Sequence, residues 1–233
     1  MNPYRQDQVK VAVATGDITS YETTKLIRNT YTLLSVTLLF SALMAGVSIA
    51  IQPPSFTGIA CLLGALALIW LVLPKTANST AGLGVVFAIT GLMGFGLGPM
   101  LTHYLSMPNG GSVVMTALGS TATIFLALSG YVMITKRDFT FMRGFLMTGL
   151  IVAIVSMLVL LGASMFGYHM PMASLALSAM IAMLMAGFLL YDTSRIVNGG
   201  ETNYILATVG LYLSIYNLFV SLLHLTGAFS GDD

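Results

Sequence analysis

The sequence predicts an all-α integral membrane protein, a bundle of seven transmembrane helices with its N-terminus in the cytoplasm and its C-terminus in the periplasm. Three observations carry that expectation. Of the 233 residues, 57% are hydrophobic and only 7% charged, against roughly 25% charged in an ordinary soluble domain. Seven apolar runs are each long enough to cross a hydrocarbon core, which takes about 20 helical residues. All nine lysines and arginines fall in alternate segments between those runs, as an excess of cations in cytoplasmic segments requires.

The chain opens on a polar head, residues 1–28, in which Arg5, Lys10, Lys25 and Arg28 are mixed with Asp7, Asp17 and Glu22. That mixture has neither the apolar centre of a cleavable signal nor the acid-poor bias of a transit peptide. The head is expected to be a mobile cytoplasmic tail, and residues 29–233 a single transmembrane domain. Its spans are placed near Tyr31–Ile51, Phe56–Leu73, Ala81–Thr102, Val113–Ile134, Gly144–Phe166, Met172–Tyr191 and Ile205–Phe229. Helix breakers and polar turns separate them, among them Gln52-Pro53-Pro54-Ser55, Pro108-Asn109-Gly110-Gly111, Lys136-Arg137-Asp138 and Asn198-Gly199-Gly200-Glu201. With the head inside, the inner segments hold Arg5, Lys10, Lys25 and Arg28, then Lys75, then Lys136, Arg137 and Arg143, then Arg195, and the outer loops hold no cation.

Small and polar residues suggest how the spans pack, because helices in lipid associate by close backbone approach and interhelical hydrogen bonds. Gly94 and Gly98 in the third span have GxxxG spacing and precede Pro99, so this span is expected to pack tightly and to end or kink there. In the fourth span Thr116, Ser120, Thr123, Ala127 and Gly130 mark an expected contact face. The seventh carries a polar seam, Gly210, Ser214, Asn217, Ser221 and His224, at steps of four and three. Such a seam belongs inside a bundle, either as hydrogen-bonding glue or as the lining of a wet path.

Several chemistries are excluded or disfavoured. A net charge of +1 offers no field for nucleic acid. One cysteine, Cys61, allows no internal disulfide and no CxxC pair. His103, His169 and His224 lack the HxxxH or HExxH spacing of a metal site, which weakens a metal-dependent hydrolase. Gly162-Ala163-Ser164-Met165-Phe166-Gly167 is one residue too long for a nucleophile elbow. The seventh span has no lysine to form a retinal Schiff base. Neither an enzymatic activity nor a cofactor is expected.

The residue that stands out is Asp192, at or just inside the inner end of the sixth span. A carboxylate in hydrocarbon costs about 2.5–3.5 kcal/mol at mid-membrane, so such groups tend to be paired or functional. Arg195, three positions on, is an expected ion-pair partner on the same helix face. The alternative is a titrating carboxylate at the inner mouth, on which desolvation and Arg195 act in opposite senses.

The run Leu189-Leu190-Tyr191-Asp192-Thr193-Ser194-Arg195-Ile196, followed by Gly199-Gly200-Glu201-Thr202-Asn203-Tyr204-Ile205 and by Leu211-Tyr212 to Tyr216-Asn217-Leu218-Phe219, resembles the C-terminal signature of the Bax inhibitor-1 family. Lys25-Leu26-Ile27-Arg28-Asn29-Thr30-Tyr31 and Lys75-Thr76-Ala77-Asn78 are similar to its bacterial branch. The resemblance spans about residues 20–229, and the seven-span count agrees with that family's fold. It implies a bacterial inner-membrane location and one of two functions. The first is to bind and restrain a membrane AAA protease of the FtsH type, with no chemistry of its own. The second is a pH-sensitive calcium leak, with calcium as the transported ion, in which relatives use an aspartate from each of the last two spans. Asp192 matches the first aspartate, but Ser214 stands where the second would be, with Asn217 just beyond. One carboxylate facing a hydroxyl cannot share a proton as a coupled acid pair does, and it supplies less charge to calcium. Glu201 is the nearest acid in sequence that could substitute. The expectation is therefore a protease regulator in the lipid bilayer, with the calcium leak as the alternative.

Overall fold

The computed structural model describes the backbone of residues 3–230 and the side chains of residues 21–230. Residues 1–20 of the expected tail, and the closing Gly231-Asp232-Asp233, lie outside the residues whose side chains are described. Along the chain run α1 (Pro3–Ile51), α2 (Thr57–Ala67), α3 (Leu73–Thr76), α4 (Ala81–Gly96), α5 (Gly98–Leu105), α6 (Gly110–Thr135), α7 (Arg143–Met165), α8 (Pro171–Val197) and α9 (Tyr204–Ser230). A π-helical segment, Leu68–Val72, joins α2 to α3, and a 3-10 turn, Thr140–Met142, leads into α7.

These helices make seven stretches long and apolar enough to cross a membrane: Tyr21–Ile51, Thr57–Thr76, Ala81–Leu105, Gly110–Thr135, Thr140–Met165, Pro171–Val197 and Tyr204–Ser230. All seven expected spans are present, and two boundaries move by more than four residues. Residues 21–28 are helical and continue into the first span. The sixth helix does not stop at Tyr191 but runs on to Val197, because nothing from Asp192 to Val197 breaks a helix and its last turn can bury Thr193, Ser194 and Ile196.

The punctuation acts as expected. Pro171 starts α8, where a missing N–H costs nothing. Lys136, at φ 51°, closes α6 in the left-handed region. The third span breaks at Leu97, between α4 and α5, next to Pro99. Gly94 and Gly98 lie against α1: a methyl group on either would overlap the Ser41 carbonyl or the Ser48 side chain. The fourth span turns the other way from the expectation. Thr116, Thr123 and Ala127 are exposed, and the buried residues of α6 are Gly110, Val113, Ala117, Thr121, Ser129 and Val132. Thr123 can face lipid because its hydroxyl donates to its own helix at Gly119 O, 2.8 Å away.

The core forms around α9, which packs on α1, α4, α6 and α8. Of its most apolar stretch 61% is buried, against 11% in the fifth span. Leu211, Tyr212, Leu218 and Leu223 are its most enclosed side chains. Helices alternate in direction, so the described cations, Lys25, Arg28, Lys75, Lys136, Arg137, Arg143 and Arg195, gather at one end of the bundle.

Candidate functional site

The site is built where α8 crosses α9 near the cationic end. Asp192 lies five residues before the end of α8, about 7 Å inside it at 1.5 Å per residue. Opposite stands the seam of α9. Gly210 lies directly beside the carboxylate, where a methyl group would make ordinary contact, 3.5 Å from Asp192 Oδ2. Ser214 Oγ is 3.5 Å from the same oxygen but 3.1 Å from Gly210 O. A hydroxyl has one hydrogen, and the shorter bond is to its own helix. Asp192 therefore receives only a long, weak contact.

The expected Asp192–Arg195 ion pair does not form. Arg195 turns to the loop that follows α8, where its Nη2 meets Glu201 Oε2 at 2.9 Å, the one ion pair among the described residues. Its guanidinium also lies over the Tyr191 ring, 5.6 Å from the centroid. The reason is geometric: Gly199, at φ 75°, reverses the chain and returns Glu201 to the end of α8. Glu201 is thereby committed, and its other oxygen accepts from the Thr202 and Asn203 amides at 3.0 Å each. It is a loop clamp rather than a second acid beside Asp192. Asn217 donates to Leu213 O at 2.8 Å and faces the same space as Ser214.

That space is a cleft of about 910 Å³. The second and fifth spans form its two sides, and α8 and α9 its back. Leu66 and Trp70 line one side, Arg143 and Leu150 the other, and Asp192, Ser214 and Asn217 the back. Toward the opposite end the seam serves as glue, His224 Nδ1 and Ser178 Oγ lying 2.7 Å apart. The two accounts of the seam thus each describe one half of it. His103 and His169 are exposed in other places, and among the described residues no three of His, Cys, Asp and Glu come together.

Several polar residues of the C-terminal signature brace this site, a role the sequence reading did not assign them. Asn203 caps α9, accepting from Ile205 N at 2.9 Å, and donates to Ala77 O at 2.9 Å and Asn78 Oδ1 at 2.8 Å. Tyr212 Oη is 2.7 Å from Ser41 Oγ, tying α9 to α1. Ser194 accepts from Phe139 N at 2.9 Å and docks the Lys136–Phe139 loop on α8. Beside it the Asp138 carboxyl is held below the usual carboxylate range, first by the Thr140 amide it accepts from. The signal available in sequence was the polar residue type at a loop or helix end, with nothing to name its partner.

The family described as "Inhibitor of apoptosis-promoting Bax1" matches residues 23–231. The chain belongs to the Bax inhibitor-1 family. Among its relatives, the Modulator of FtsH protease YccA of Escherichia coli K12 is 44% identical over 96% of this chain and 99% of its own length. A homologue named Inner membrane protein YccA, from Escherichia coli O6:H1, matches to the same extent. An uncharacterized membrane protein of Vibrio cholerae is 46% identical over 91% of this chain and 93% of its own. Within this Bax inhibitor-1 protein, two of the motifs read in sequence meet: Asn78 of the second-span turn and Asn203 of the C-terminal signature are hydrogen-bonded.

Proposed function

We propose that this protein is a multi-pass regulator of the bacterial inner membrane that binds and restrains an FtsH-type AAA protease, with its cationic end in the cytoplasm. The observation that carries the reading is a site stripped of paired-acid chemistry in a chain closely related, end to end, to YccA. Asp192 faces a hydroxyl committed elsewhere, and Glu201 is neutralised by Arg195. What remains is an apolar helical bundle with a polar head. In this reading the head and cytoplasmic loops engage the protease, while the lipid-facing helices dock on its membrane segment. Co-purification in mild detergent tests it. FtsH is expected to co-elute, and overproduction of this protein to slow the degradation of an FtsH membrane substrate. A protease that never co-elutes, with degradation unchanged, would remove the reading.

A pH-sensitive calcium leak is the second reading, and the cleft that reaches Asp192 is the observation that favours it. It requires proton-dependent calcium flux into liposomes that is lost in Asp192→Ala. Flux equal to that of empty vesicles rejects it.

A further inference from the structure

The cleft between the second and fifth spans is amphipathic in a directed way. Its sides are apolar along most of their length, with Leu62, Leu66, Ile69, Leu150 and Met157. At the cationic end stand Arg143 and Trp70, both exposed. Arg143 is the first residue of α7, and among the described residues it has no carboxylate within 4.0 Å. Arg195, by contrast, is already neutralised by Glu201. Asp192 sits on the back wall against Gly210 and Ser214 of α9, and it forms no ion pair with Arg143, which opens α7 at the side.

Size and charge together favour a lipid chain over a partner helix sunk in the cleft. A partner helix of ~10 Å diameter crossing ~30 Å of hydrocarbon fills roughly 2,400 Å³. The cleft offers about 910 Å³, within the ~300–1,000 Å³ typical of sites for small amphipathic ligands. A single acyl chain suits the apolar sides, and basic pockets between membrane helices at the cytoplasmic side hold anionic headgroups. Trp70 stands at the centre of the π segment Leu68–Val72, a distortion frequent at functional sites. It is 77% exposed in the half of its span, Thr57–Thr76, that ends beside Lys75, and tryptophan favours the headgroup side of a span.

We infer that this lateral cleft binds one anionic phospholipid, its phosphate on Arg143 and one acyl chain between the second and fifth spans. The inference stands apart from the protease reading, since it concerns lipid alone.

Trp70 is the single tryptophan of the chain, so its fluorescence reports the site directly. The protein is reconstituted with mixtures in which either phosphatidylglycerol or phosphatidylcholine carries brominated, quenching chains. Wild type is expected to prefer the brominated anionic lipid at Trp70 by about fivefold, the effect of one cation near a membrane surface. Arg143→Gln should bring the ratio to unity, and Arg143→Lys, which restores the charge, should recover it. Lys136→Gln removes an exposed cation from the same end but outside the cleft, and should leave the preference intact. Equal quenching by both lipids in wild type overturns the site. So does a preference that survives Arg143→Gln, or one that Lys136→Gln abolishes equally, which would reflect surface charge alone.

Discussion

At the scale of single residues, the site is defined by what Asp192 lacks. Its nearest polar neighbour on α9, Ser214, spends its hydrogen on Gly210 O, so an acid at 214 would face Asp192 directly. Ser214→Asp is expected to create proton-sensitive calcium flux in liposomes, because two adjacent carboxylates titrate as a pair and supply the charge calcium requires. If that variant stays as silent as empty vesicles across pH 6–8, the missing acid is not what separates this chain from a conduit. A second residue tests the packing. Thr30 Oγ1 is buried with no hydrogen-bond partner among the described residues, and an unsatisfied buried hydroxyl is costly. Thr30→Val, which keeps the shape, should stabilise the protein by about 1 kcal/mol, read as a higher unfolding midpoint in detergent; a lower midpoint would mean the hydroxyl has a use. Asp192 itself was legible in sequence as the one carboxylate within a span. Its relation to Arg195 was not, since helical spacing predicts neighbours but cannot foresee that the following loop brings back Glu201.

At the scale of helices and loops, close approach of α4 and α1 is the clearest case of sequence foretelling structure. Gly94→Ala would push a methyl group onto the Ser41 carbonyl and is expected to cost about 1–3 kcal/mol. Gly84→Ala, on the same helix with open space around it, should be neutral or gain up to about 1 kcal/mol from helix propensity. Parallel thermal melts check the contrast; equal behaviour would place the GxxxG spacing outside the packing. The loops at the cationic end depend on Asn203, which uses its carbonyl to cap α9 and its amide to hold the 77–78 turn. Asn203→Ala removes both and should cost about 1–3 kcal/mol, visible as faster amide exchange at Ile205 and Leu206, whose amides donate to its side chain; unchanged exchange would refute the strut. The span pattern was readable because hydrocarbon demands unbroken apolar helices. The direction in which α6 faces was not, because threonine and serine satisfy themselves on their own helix and so look alike whether they meet lipid or protein. The Asn78–Asn203 contact joins loops 125 residues apart, a separation at which local pattern carries no information.

At the scale of the whole molecule, the gathering of cations at one end gives a firm expectation for topology. A reporter fused after residue 233 should be active as alkaline phosphatase and dark as a cytoplasmic fluorescent protein; the reverse result would invert the bundle and place Asp192 at the outer mouth. The central position of α9 also bears on biogenesis. Synthesis runs from the N-terminus, so the helix that α1, α4, α6 and α8 enclose leaves the ribosome after all four of them. Until then those four present unfilled faces to the bilayer, and a nascent chain stopped before Tyr204 has walls without a keystone. Closure of this core thus waits on α9, and chains ended before it are expected to be clients of quality control from the moment of their release.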